Sequence, residues 1–302
     1  MNEMLHGIFA FLLWPGLISA AILAWFYLWV GRKVMARLQG RQGPPFLQPF
    51  FDFVKLLGKK TIRPTGMSMG LFFGLPMVSL ISILGALALI PAPGAFSISF
   101  SGDLILLLYL LEIPALVDIM AGFASRSVYA QVGAVREALL SLGHNIPFII
   151  AFIALAIQAK SSNLQTMVAA PFSLVQILAA IALILAIPAR IKSTPFSIPN
   201  AETEIVAGPH IEFNGPALAI FELVHGLEIV ALSGLFACLF SGVVHALIPS
   251  LLVYLIVSIA VVVFTSLLAA STARVKVQHA LGFYWQWGVL SAIVALVAAS
   301  YR

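Results

Sequence analysis

Charge is what this 302-residue sequence has least of: 9% of it is ionisable as Asp, Glu, Lys or Arg, with eleven acids against sixteen bases. A water-soluble core of that size needs a far more polar cover, so a soluble globular protein is excluded. Cysteine is nearly absent too. The single thiol, Cys238, cannot form an intrachain disulfide and cannot supply the ligand set of an iron-sulfur cluster or structural zinc. The six histidines, at 6, 144, 210, 225, 245 and 279, show no HExxH spacing, so no metal ligand and no catalytic residue is assigned. We read no GxSxG nucleophile elbow and no GxxxxGK[ST] phosphate loop. The chain by itself is therefore expected to be non-catalytic.

What is abundant is oil: 62% of the residues are hydrophobic. A spanning helix needs about 20 apolar residues, and eight runs qualify, near 8–30, 71–91, 103–123, 139–158, 172–190, 217–241, 247–270 and 281–300. The expected fold is an all-α integral membrane protein, a single polytopic domain over 1–302 with no room for a soluble one. The first run lacks a basic lead and is followed by Gly31, Arg32 and Lys33 instead of a cleavage site, so it reads as a retained span.

Basic residues mark cytoplasmic loops. Fourteen of the sixteen fall on alternate loops, leaving Lys160 and Arg302 on the other side. That pattern predicts a cytoplasmic (inner) membrane location with both termini outside, and the net charge of +5 then reflects topology and anionic lipid, with no nucleic acid implied. Two cytoplasmic loops stand out. The loop 31–70 carries an amphipathic run, Phe46 to Leu57 around Asp52 and Lys55, too short to cross and suited to the interface. With Arg37, Arg41, Gly43 and Pro44 before it, and Arg126 and Arg136 in the next loop on that side, it reads either as a lipid-surface helix or as a platform for a cytoplasmic partner. The loop 191–216 is broken by Pro195, Pro199, Pro209 and Pro216. Glu202 and Glu204 follow Asn200, a candidate cap for a short helix whose first turn favours acids.

Thr194 to Glu228 holds five of the eleven acids. An ionisable group deep in a bilayer costs roughly 2.5–3.5 kcal/mol on insertion scales and normally faces protein or water. Glu222, His225 and Glu228 step back about 60° each around one helix, a strip able to line a path; Glu112 and Asp118, about 120° apart on another, are near enough to share a cavity. Asp103 and Glu3 read as surface charges at the outer margin. The acids Glu112, Asp118, Glu137, Glu202, Glu204, Glu212, Glu222 and Glu228, with His225, form a candidate proton or charge pathway. The bland reading is structural pairing with Arg or Lys from other helices.

Three stretches, 36–60 (ARLQGRQGPPFLQPFFDFVKLLGKK), 121–148 (AGFASRSVYAQVGAVREALLSLGHNIPF) and 195–221 (PFSIPNAETEIVAGPHIEFNGPALAIF), resemble the membrane subunit that joins the redox and pump arms of respiratory complex I and of energy-converting nickel-iron hydrogenases. The resemblance implies an energy-coupling anchor, with Glu202, Glu204 and Glu212 facing the redox module. It also implies cytoplasmic hydrogenase-like large and small subunits, a ferredoxin-like subunit and antiporter-like membrane subunits as partners. Any nickel-iron centre and iron-sulfur clusters would belong to those partners, none to this chain. Quinone enzymes of the family read PFDLPEAE and carry further acids nearby; here Ser197, Asn200, Arg190 and Asn145 stand at those places. These departures, with Glu137 in VREAL, resemble the hydrogenase branch. A quinone-binding complex I subunit is the alternative, a sulfur-reducing relative another, and a free-standing secondary ion transporter a reading of a different class, which would show an inverted repeat that the loops at 41–60 and 195–216 do not form.

Overall fold

The computed structural model describes residues 17–64, 66–94, 97–242 and 246–301; Glu3, His6, His245, Arg302 and the start of the first predicted span lie outside them. Among the described residues all regular structure is helical. In chain order the helices are α1 Leu17–Leu38, α2 Gln48–Leu57, α3 Met69–Leu89, α4 Asp103–Ala124, α5 Val128–Ala159, α6 Leu164–Ala169 and α7 Leu174–Arg190. There follow α8 Glu202–Ile205, a 3-10 turn Gly208–His210, α9 Gly215–Ser241, α10 Leu247–Ser271 and α11 Val277–Ser300. A single π turn, Tyr284–Gly288, interrupts α11.

Seven of these helices are long and apolar enough to cross a membrane, and α7 is an apolar helix of 17 residues. At 1.5 Å per residue α7 spans about 25 Å, short of the ~30 Å hydrocarbon core. Its ends nevertheless belong to opposite faces of the bundle. On one face Asn214 brackets the Ile62 backbone, Arg136 pairs with Glu204, and Arg274 reaches Ser197 and Thr203. On the other, Ser162 O accepts from the Leu104 amide, and Asn163 and Gln165 reach Ser99 and Ser97. The basic loops thus share one face, as the charge pattern predicts.

Helix bounds depart from the apolar runs in two places. α1 continues to Leu38, so Arg32, Lys33 and Arg37 are helical. α5 begins at Val128, eleven residues before the predicted start at 139, because Arg136 and Glu137 interrupt the apolar pattern without interrupting the helix. Glu137 therefore sits on a buried helical face and not in a loop.

Spans α3, α4, α5 and α7 each contain a proline, which removes one backbone donor and frees a carbonyl one turn earlier. At Pro114 of α4 the freed oxygen is that of Leu110, and the Ser82 hydroxyl of α3 donates to it at 2.6 Å. Close packing elsewhere uses small residues: a Cβ on Gly226 of α9 would stand 3.0 Å from Ala24 Cβ of α1, the close approach that glycine permits between membrane helices. The Tyr27 hydroxyl meets that of Ser258 at 2.6 Å and ties α1 to α10.

α2 has the amphipathic form expected of it. Phe46, Leu47, Phe50, Phe51, Val54 and Leu57 are exposed, while Trp25 of α1 packs against Phe50 and Phe53. Gly43 adopts φ +75°, and the Pro44 carbonyl accepts from Trp29 Nε1 at 3.3 Å, fixing the turn before the helix. Asp52 is held by Arg32 and Gln48, both at 2.8 Å. Partial burial acts to raise the Asp52 pKa, but those two hydrogen bonds prevail and hold its carboxyl below the usual range.

Candidate functional site: two buried cation clasps

The turn that ends α7 supplies two cations two residues apart. Lys192, at φ +52°, points into the bundle, where its ammonium pairs with Asp118 and stands 3.6 Å from Glu137. Asp118 also meets His210 Nε2 at 2.9 Å, and the His210 ring stacks on Phe221 with centroids 4.1 Å apart. Burial alone would pull the Lys192 pKa down, but the carboxylates of Asp118, Glu137 and Glu228 outweigh it and push it above the ordinary lysine value. Lys192 is therefore a permanent cation.

Arg190, the last residue of α7, forms the second clasp. Its guanidinium lies 2.6 Å from Glu112 and donates at 2.9 Å to Asn145 Oδ1 and at 3.1 Å to the Leu111 carbonyl. Asn145 in turn donates to Glu112 at 2.5 Å, and the guanidinium carbon rests 4.2 Å over the Phe148 ring. Two of the positions where quinone enzymes carry acids thus meet here on one carboxylate. A third, Ser197, accepts from Arg274 at 3.2 Å. Lys192, Arg190, His210 and Asn145 were not foreseen as pathway residues; Arg190 and Asn145 signalled themselves only as departures from an acidic pattern.

Two cavities adjoin the clasps and share Glu228 in their walls. The larger, about 290 Å³, is lined by Arg32, Asp118, Lys192, His210, Glu222, His225 and Glu228, with Pro114 and Phe221 as apolar wall. The smaller, about 10 Å³, lies deeper among Glu112, Glu137, His144, Arg190 and Glu228. Glu228 lines both and stands 3.8 Å from His225. Glu112 and Asp118 therefore occupy different cavities, contrary to the expectation of a shared one, and Glu228 is the link. Glu222 is exposed on its helix and is not a buried acid.

The acidic loop is a tied, strained segment. Glu202 and Glu204 stand in the first turn of α8, but its cap is Ala201 and not Asn200. Val206 adopts φ +60°, unfavourable for a β-branched residue. Gly208 has φ +55°, and a Cβ there would collide with the Pro199 carbonyl. Glu204 is bridged to Arg136 at 2.6 Å, whereas Glu202 and Glu212 have no side-chain partner among the described residues. Arg37, Arg41, Lys55 and Arg126 are exposed on the same face.

Three sequence readings are corrected. Asp103 is fully buried, accepting from the Leu164 amide at 2.8 Å to fasten α6, so it is no surface charge. Asn200 does not cap α8. The letters GMSMG at 66–70 do spell GxSxG, but Ser68 is the N-cap of α3, its hydroxyl taking the Leu71 amide at 3.2 Å, and among the described residues no strand precedes it as an elbow requires.

A sequence profile described as NADH dehydrogenase matches residues 12–300. The chain belongs to that family. It is 28% identical over 298 residues to the NADH-quinone oxidoreductase H subunit of Dehalococcoides mccartyi, covering 95% of this chain and 84% of that one. The protein of the same name from Geobacillus kaustophilus is 30% identical over 291 residues, covering 89% and 87%. Among solved structures, a chain of the membrane-bound sulfane sulfur reductase, an archaeal respiratory membrane complex, superposes with a TM-score of 0.83 at 29% identity, covering 93% and 96%. This family member is a multi-pass membrane protein.

Proposed function

We propose that the chain is the membrane-anchoring, energy-coupling subunit of a multisubunit respiratory complex whose electrons do not end on quinone, of the energy-converting hydrogenase or sulfur-reductase type. Its basic face is cytoplasmic and receives the electron-transfer subunits; nickel-iron and iron-sulfur centres reside in those partners, since Cys238 is buried and alone. The ion moved is H⁺ or Na⁺. The observation that carries this reading is the pair of polar cavities that share Glu228, the larger reached by Asn200 and His210 of the acidic loop and the smaller lined by Glu112. That larger cavity is lined by seven ionisable side chains, Arg32 among them, a surface suited to water and protons. It does not fit an apolar quinone ring and tail, which favour hydrophobic and aromatic walls.

In this reading a charge change beside Glu202, Glu204 and Glu212 acts through Lys192 and Asp118 on Glu228, and from there on Glu112 and Glu137. Glu112, Asp118 and Glu137 each face Arg190 or Lys192 in an ion pair, whereas the ion-pair partner nearest Glu228 is His225 at 3.8 Å, which makes Glu228 the acid chosen for the coupling test. The test is purification in mild detergent with identification of co-purifying subunits and metals. Nickel with hydrogen-linked activity supports the hydrogenase type, and sulfur reduction the other. The second reading, a quinone-linked complex, is favoured by the names of the Dehalococcoides and Geobacillus relatives and predicts quinone reductase activity instead. Coupling is tested by Glu228→Gln, expected to keep electron transfer and lose ion translocation; a normal ion-to-electron ratio would refute it.

A further inference from the structure

His144 is a buried titratable residue that takes no part in the route above. Only 3% exposed, it follows Glu137 by seven residues on α5, with Ser141 between them on the same face. Glu137 Oε2, Ser141 Oγ and His144 Nδ1 are all buried and have no hydrogen-bond partner among the described residues. Buried polar atoms are otherwise almost always satisfied, and two of these three residues, Glu137 and His144, line one cavity, where a ligand that can both donate and accept would serve them. The smaller cavity, walled in part by Glu137 and His144, has about 10 Å³, roughly the volume of one water probe. An ion of either sign fits less well, because Arg190 in its wall and Lys192 beside Glu137 already face its carboxylates.

We propose that Glu137 and His144 hold a single water molecule in this cavity, and that His144 relays a proton through it between the Glu228 side and the Arg190–Glu112–Asn145 clasp. A neutral imidazole offers one donor and one acceptor nitrogen, so the ring takes a proton on one side as it gives one up on the other. Glu112 and Arg190 of the clasp line the same cavity as His144. The proton is neither created nor consumed: it passes from Glu228 or Glu137 to water, from water to the ring, and from the ring toward Glu112. The proposal rests on the coupling reading given above.

The test uses the intact complex reconstituted in liposomes, with ions translocated per electron as the readout. His144→Phe fills the site and removes both nitrogens; His144→Gln keeps a hydrogen-bonding group for the water but cannot relay through a ring. Both are expected to leave electron transfer unchanged and to lower the translocation ratio about tenfold or more, on the scale of a lost proton-transfer group. A normal ratio in both, with a lowered ratio in Glu228→Gln, overturns the relay alone; a normal ratio in all three overturns the coupling reading as well. If His144→Phe prevents assembly, His144→Gln decides on the same readout. A map of the unaltered complex fine enough to show bound solvent is expected to place one water within hydrogen-bonding distance of Glu137 and His144, and a dry cavity refutes the site.

Discussion

Arg190 at the end of α7 reaches back into the bundle and places its guanidinium 2.6 Å from the Glu112 carboxylate, with Asn145 closing the triangle. Removing one partner of a buried pair leaves the other uncompensated, which costs about 3–5 kcal/mol when both are fully enclosed. Glu112 keeps about a third of its side chain accessible, so Arg190→Leu is expected to cost about 2 kcal/mol. Thermal unfolding in detergent checks the value. Arg190→Leu with Glu112→Leu should recover most of the loss, and a double variant no better than the single would show that the pair is not the source.

The Lys192 clasp carries a pH expectation. Its folded-state pKa is raised above the unfolded one, so its stabilisation is fully present below the ordinary lysine value of about 10.4 and is lost only as pH climbs through the higher folded value. The difference in melting temperature between the natural chain and Lys192→Met should therefore not shrink from about pH 6 to 10. A difference that shrinks across that range would mean that the ammonium is not held by Asp118 and Glu137.

Arg136 and Glu204 make the contrasting case. The pair is short but lies at the surface, with 52% of the Glu204 side chain accessible, and such pairs contribute about 0–1 kcal/mol. Arg136→Ala is expected to leave the melting temperature within error while speeding amide exchange in the loop 201–211, since the bridge fixes the loop and not the core. Slowed or unchanged exchange would contradict this.

Gly208 tests the loop more severely. An alanine there meets both a left-handed φ and the Pro199 carbonyl, so Gly208→Ala should cost at least about 1–3 kcal/mol locally. The readout is faster proteolysis or exchange between 199 and 211 with the membrane bundle unchanged.

The spans were legible because an apolar run of sufficient length has few other fates, and the sidedness because basic residues occur in alternate loops. The start of α5 was not, since Arg136 and Glu137 look like loop residues until the helices that enclose Glu137 are in place. Asp103 was misread for a related reason: a single acid at a helix start has the same spelling whether water or a neighbouring backbone amide receives it. The sequence names Glu112, Asp118, Glu137 and Glu228, which line the two cavities, but not their partners. Lys192 meets Asp118 across 74 residues and Arg190 meets the Leu111 carbonyl across 79, and no local pattern encodes such a meeting. What the sequence did offer was the departure of Arg190 and Asn145 from acids that the resemblance places there, and in the structure the two meet in a single clasp on Glu112.

Ile191 is the only residue between the two cations, and the Ser193 amide bonds back to the Pro188 carbonyl at 2.9 Å, so the turn is short and braced. Arg190 and Lys192 are thus harnessed to one yoke: a pull on the loop beyond Ser193 shifts both heads in step and disturbs the shallow and the deep carboxylates in the same stroke. A docked protein that leaned on that strand of chain would have leverage over acids lying far from anything it touched.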